Sequence, residues 1–128
     1  MKELTKAEEQ VMQVLWRIQK GFIKDIIEQL PLPKPAYNTI STIVRILEKK
    51  QFVSHHAYGK THQYYPLISK AEYSSFSLKK LLGGYFGGSF EELVSFFAKE
   101  HDMDVQELEL LLKHASKKLE TDNPKNDE

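Results

Sequence analysis

The stretch AYNTISTIVRILEKKQFV, residues 36–53, has a helical pattern with an uncommon polar side. At about 100° per residue, Ala36, Tyr37, Ile40, Ile43, Val44 and Leu47 share one apolar third of the wheel. Opposite them, within an arc of roughly 100° by the same arithmetic, lie Asn38, Ser41, Thr42, Arg45 and Lys49. Every member of that arc can donate a hydrogen bond, and none is acidic. A merely solvated face would favour mixed charges and good helix formers, whereas Asn, Ser and Thr compete for backbone hydrogen bonds and weaken a helix interior. Short donors on an exposed helix suit a major groove, where Asn pairs with adenine, Arg with guanine, and a Thr methyl meets the thymine methyl.

The flanks agree with this reading. Upstream, PLPKP stops any preceding helix, and Pro35 fits the first turn of the next, where its missing N–H costs nothing. Before it, Thr5 and Glu8 form a T-x-x-E capping box ahead of Val11, Met12, Leu15 and Ile18. A first helix is expected over about 5–19, interrupted by Gly21, and a second through Ile23, Ile26, Ile27 and Leu30. Downstream, FVSHHAYGKTHQYYP reads as a β-hairpin around Gly59-Lys60 with a type II′ turn. Its register would pair Ala57 with His62 and His55 with Tyr64.

Beyond the hairpin, Ser69 with Glu72, Ser89 with Glu92, and Asp104 with Glu107 mark three further helix starts. Gly83-Gly84 and Gly87-Gly88 are expected to weaken or end the first of these helices, with GGYFGG as a turn or hinge. The expected organisation is a winged-helix domain over 1–68, a helical dimerisation domain over 69–120 and a disordered polar tail over 121–128. The fold class is mainly α with a small β-hairpin wing.

Composition limits the alternatives. The 128 residues are 41% hydrophobic and 28% charged, as in an ordinary globular protein, and contain no cysteine, which excludes disulfides and thiolate metal sites. No signal-like N-terminus and no run of eighteen apolar residues occurs, so the expected location is cytoplasmic, without a membrane span. The zero net charge conceals a division: residues 1–68 carry ten Lys/Arg against six Asp/Glu, and the remainder eight against twelve. From Lys34 to Lys60 the basic residues number five, and the single acid is Glu48.

Three helices and a hairpin with Lys60 at its tip make a winged helix-turn-helix, in which the third helix enters the groove and the wing follows the backbone. Phosphate contacts are expected from Lys34, Lys49, Lys50 and Lys60. A winged helix serving only protein interaction is the rival reading, which zero net charge permits. No hydrolase, phosphate-loop or zincin motif is present, so neither catalysis nor a cofactor is expected. His55, His56 and His62 lie in the hairpin, but His55 and His62 share a face only diagonally, at about 7–8 Å, with no carboxylate near in sequence, so no metal site is expected. The apolar residues from Tyr73 to Leu119 exceed what about 50 residues can bury within themselves, and a symmetric dimer would cover them.

Four segments, LTKAEEQVMQVLW (4–16), NTISTIVRILEKKQFV (38–53), GKTHQYYPLIS (59–69) and YFGGSFEELVSFF (85–97), in this order and spacing, resemble the penicillinase-repressor (BlaI/MecI/CopY) family of bacterial transcription regulators. The resemblance covers about 4–119. It implies a homodimer reading an operator dyad in double-stranded DNA and repressing a resistance or stress-response gene until a signal releases it. Carried over by position, it assigns Asn38, Thr39, Ser41, Thr42 and Arg45 to the recognition helix and Gly59-Lys60 to the wing tip. It assigns Tyr85, Phe86, Leu93, Phe96, Phe97, Leu108, Leu111, Leu112 and Leu119 to dimerisation. The family's helix runs through the position of Gly83-Gly84, where these glycines predict a kink or a shorter helix. The copper-sensing branch carries paired C-terminal cysteines, absent here. In the β-lactam branch a membrane-bound signalling protease is a further partner, cutting between Asn and Phe, and the matching pair here is Ser95-Phe96.

Overall fold

The computed structural model describes residues 1–122 and contains six helices and one hairpin among them. Helix α1 (Lys6–Ile18) starts at the expected capping box: the Glu8 N–H donates to Thr5 Oγ1 at 3.2 Å and the Thr5 N–H to Glu8 Oε1 at 2.8 Å. It ends on Gln19, which takes the left-handed φ of 71°. A Cβ added at Gly21 would stand 2.8 Å from Ile18 Cδ1, the movable end of that side chain, and 3.3 Å from Asp25 Cβ. Helix α2 (Ile23–Glu28) is short and is capped from below by Asp25, whose Oδ2 accepts the Phe22 N–H at 2.9 Å.

Helix α3 (Tyr37–Lys49) ends in a Schellman-type closure, with the Phe52 N–H reaching the Leu47 carbonyl at 3.0 Å and Gln51 left-handed at φ 66°. Phe52, the residue after the turn, is thereby buried. Strands β1 (Val53–Tyr58) and β2 (Thr61–Pro66) pair antiparallel in the expected register, Ala57 opposite His62 and His55 opposite Tyr64. Gly59 carries φ 62°, as the first central residue of a II′ turn requires. A one-residue bridge adds a third segment beside β2, the Gly21 N–H bonding the Tyr64 carbonyl at 2.9 Å and the Tyr64 N–H bonding the Gly21 carbonyl at 2.8 Å.

Val11, Met12 and Leu15 of α1, Ile26 of α2, Ile40, Val44 and Leu47 of α3, and Phe52, Val53 and Tyr64 close one core. Helix α4 (Lys70–Tyr85) begins against it. The buried Tyr73 ring meets Trp16, Phe52 and Phe76, its hydroxyl accepts the Leu4 N–H at 2.9 Å, and Trp16 Nε1 donates to the Ile68 carbonyl at 2.8 Å. Contacts consequently divide the chain inside α4, between Lys79 and Lys80.

From Lys80 onward the second unit holds the end of α4, α5 (Phe90–Glu100) and α6 (Val105–Asp122). Gly83-Gly84 neither breaks nor ends α4, which corrects the expected shortening. Glycine disfavours helix by about 1 kcal/mol per residue without forbidding its dihedrals, and the pair Leu81-Leu82 before it favours continuation. The helix stops at Gly87-Gly88, with φ 58° and 79°, where the Gly88 N–H folds back to the Leu82 carbonyl at 2.8 Å. Of GGYFGG, only the second glycine pair is therefore the turn. Ser89 accepts the Glu92 N–H and Asp104 the Glu107 N–H, as the capping patterns predict. Helix α6 includes Thr121 and Asp122, two residues of the tail expected at 121–128, and the rest of that stretch lies outside the described residues.

Candidate nucleic-acid interface

The apolar stripe of α3 buries Ile40, Val44 and Leu47 and so presents the opposite side to solvent. Asn38, Thr39, Thr42, Arg45 and Lys49 are exposed there, while Ser41 is half-buried. Thr42 Oγ1 already donates to the Asn38 carbonyl at 2.9 Å, which leaves its methyl as the group suited to thymine. Lys60 follows Gly59 on the exposed wing turn, and Tyr58 before it packs edge-on against Phe22 at 5.9 Å, tying the wing to the start of α2.

Two of the expected phosphate contacts are engaged elsewhere. Lys34 Nζ donates to the carbonyls of Ile27, Glu28 and Leu30 at 3.2, 2.9 and 2.5 Å, and so caps the C-terminal end of α2. Lys50 Nζ bonds both carboxylate oxygens of Glu8, at 2.7 and 2.9 Å. Burial pushes the Glu8 carboxyl up, but the Lys50 and Thr5 hydrogen bonds outweigh it and hold the group below its ordinary value. Both ammonium groups fix helix ends, α2 in one case and α1 to α3 in the other.

Tyr37 departs from the wheel as well. Placed by periodicity on the buried third, it is 57% exposed and lines a recess of about 440 Å³ with Phe22, Ile23, Lys24, Tyr58 and Thr61. Lys24, exposed on α2, is a cation beside this recess that the sequence pattern did not single out. Its one signal was the helix position directly after Ile23, which carries it off the apolar stripe.

The wing histidines meet more closely than expected. The His55 and His62 rings stack at 4.0 Å and 6°, because planar side chains reach across a diagonal that the strand twist shortens. Parallel rings hold their nitrogen lone pairs in separate planes and cannot aim them at one ion without turning. Among the described residues no group of three or more His, Cys, Asp or Glu is arranged to hold a metal. His55 Nδ1 instead lies 2.5 Å from Glu48 Oε2, a carboxylate of α3. Burial raises the Tyr64 hydroxyl above its ordinary value, with Glu48 adding to the effect and Arg45 opposing it.

In the second unit neither α5 nor α6 buries a residue. Tyr85 and Leu119 are 81% and 71% exposed, and Phe96, Phe97, Leu111 and Leu112 are also exposed, while Phe86, Leu93 and Leu108 are half-buried. A groove of about 860 Å³ runs between α5 and α6, walled by Val94, Ala98, Met103, Val105, Leu108 and Leu112. Ser95 stands exposed beside Phe96. No helix among the described residues is long and apolar enough to cross a membrane.

The sequence profile of the penicillinase repressor family matches residues 4–117, spanning both units. The chain belongs to that family. The penicillinase repressor family is the one that the four quoted segments resemble, and its members are repressors. One relative is the methicillin resistance regulatory protein MecI of Staphylococcus aureus (strain N315), 29% identical over 117 residues, covering 91% of this chain and 95% of MecI. Another is the penicillinase repressor of Staphylococcus aureus, 26% identical over 120 residues with the same coverage. A solution structure of the DNA binding domain of the repressor BlaI is 30% identical, with a TM-score of 0.49, covering 57% of this chain and 94% of that one.

Proposed function

We propose that this penicillinase-repressor family member acts as a homodimer that binds an operator dyad in double-stranded DNA and represses the adjoining gene. The observation that carries the reading is the exposed row Asn38, Thr39, Thr42, Arg45 and Lys49 on α3, donors without a carboxylate among them, beside a wing tipped by Lys60. Helix α3 lies in the major groove, with Arg45 and Asn38 on base edges and Lys49 and Lys60 on phosphate. Ser41, half-buried, plays a smaller part, and Lys24 and Tyr37 extend the backbone contact. Two protomers place their α3 helices one helical turn of DNA apart, or a multiple of it.

The dimer reading rests on the apolar residues of α5 and α6 that one chain leaves uncovered, Phe96, Phe97, Leu111, Leu112 and Leu119. The test is fluorescence anisotropy of the purified protein with its own upstream DNA against a scrambled duplex, at physiological salt. Preference for the upstream DNA with two protomers per site is the expected result. Equal, weak binding to both, alongside tight binding to a protein, would transfer the wing and α3 to protein recognition.

A further inference from the structure

Glu48 is the one acid between Lys34 and Lys60, and it sits in the last full turn of the helix read here as DNA-facing. A bare carboxylate there repels phosphate and lowers affinity, so its presence calls for a partner. That partner is His55 of β1, whose Nδ1 lies 2.5 Å from Glu48 Oε2, with the two side chains 29% and 34% exposed. The imidazole is held on its other sides from β2: His62 stacks flat on it, and the Tyr64 ring meets it at 5.6 Å. Tyr64 is itself buried and bridged to Gly21, and its hydroxyl feels the charges of both Glu48 and Arg45. Beyond His55 the hairpin is exposed along 56–61. A two-stranded hairpin has little stability of its own; the Tyr58–Phe22 contact ties it to the start of α2, and the Glu48–His55 contact is its side-chain tie to α3.

We propose that His55 is a positioning residue for the wing: clamped between the Glu48 carboxylate of α3 and the His62 ring of β2, it masks the acid and holds Lys60 where it meets the DNA backbone. The inference rests on the DNA-binding reading above, and it reverses what charge counting expects. If Glu48 were only a stray negative charge, Glu48→Gln would tighten DNA binding and leave the contribution of Lys60 intact. If Glu48 holds the wing through His55, the same substitution frees the wing and removes that contribution.

The experiment measures operator affinity against salt for the full chain, its Glu48→Gln and His55→Phe variants, and each of these combined with Lys60→Ala. In the wild type, Lys60→Ala lowers the salt slope by about one unit; in either variant background it changes nothing. The exchanged pair Glu48→Lys with His55→Glu restores the Lys60 increment. His56→Gln, on the opposite face beside Tyr65, leaves it unchanged. A readout without DNA runs in parallel: the ¹⁵N heteronuclear NOE of residues 58–61 falls in Glu48→Gln and His55→Phe and recovers in the exchanged pair. A Lys60 increment that persists in Glu48→Gln, or NOE values that stay at the wild-type level in both variants, overturns the proposal. Should the wild type fail to prefer its operator, the DNA reading falls, and the NOE comparison still decides whether the tie holds the wing.

Discussion

Arg45 and Lys60 are both exposed cations, and the proposed DNA complex gives them different tasks. Arg45 stands among short donors on a helix that fits a groove, and its planar fork suits the two acceptors of guanine. Arg45→Ala should cost on the order of 1–3 kcal/mol and relax preference at one base, read by affinity for a set of single-base operator variants; an equal loss on every sequence would make it a phosphate contact. Lys60 sits on a turn with only its ammonium to offer. Lys60→Ala should weaken all duplexes alike and flatten the salt dependence by about one unit, measured by titrating salt against affinity; an unchanged slope would take the wing tip off the DNA.

Helix ends account for most of what could be read in advance. Capping boxes at Thr5 and Ser69 depend on residues three apart, and the hairpin register follows from a two-residue turn, so both are local and both appear as expected. Long-range partners were not legible. Lys34 and Lys50 look like free cations until α2 and α1 are folded beside them, and Tyr37 loses its apolar cover because the wing base opens a recess there. Gly83-Gly84 misled because a propensity penalty is not a prohibition. Since an added Cβ at either glycine meets nothing within 4 Å, Gly83→Ala and Gly84→Ala should each stabilise the protein by about 0.5–1 kcal/mol, checked by denaturant midpoint. The Glu8–Lys50 tie has a pH signature. Its folded pKa lies below the ordinary value of 4.5, so its stabilisation is full above that pH and is lost as pH falls through the lower folded value. Glu8→Gln should abolish this component of acid sensitivity in melting curves taken below that pH.

The two compact units have unequal cores. Among the described residues Met1–Lys79 holds all the buried side chains, whereas α5 and α6 bury none, so in the proposed dimer the second unit is the part that a second copy would cover. Leu112→Glu should shift sedimentation from dimer to monomer and lower operator affinity at least tenfold while leaving the far-ultraviolet spectrum unchanged; a variant that stays dimeric would place Leu112 outside the contact. The Gly21–Tyr64 bridge has a consequence for the time in which the wing opens. Because both backbone groups of Tyr64 bond to Gly21 in the link between α1 and α2, the base of β2 cannot peel away unless the three-helix core opens with it, whereas the tip at 58–61 moves without it. Deuterium uptake along the hairpin should therefore be graded, fastest at Gly59 and Lys60 and slowest at the amides of Gly21 and Tyr64, which would exchange only through unfolding of the whole winged helix.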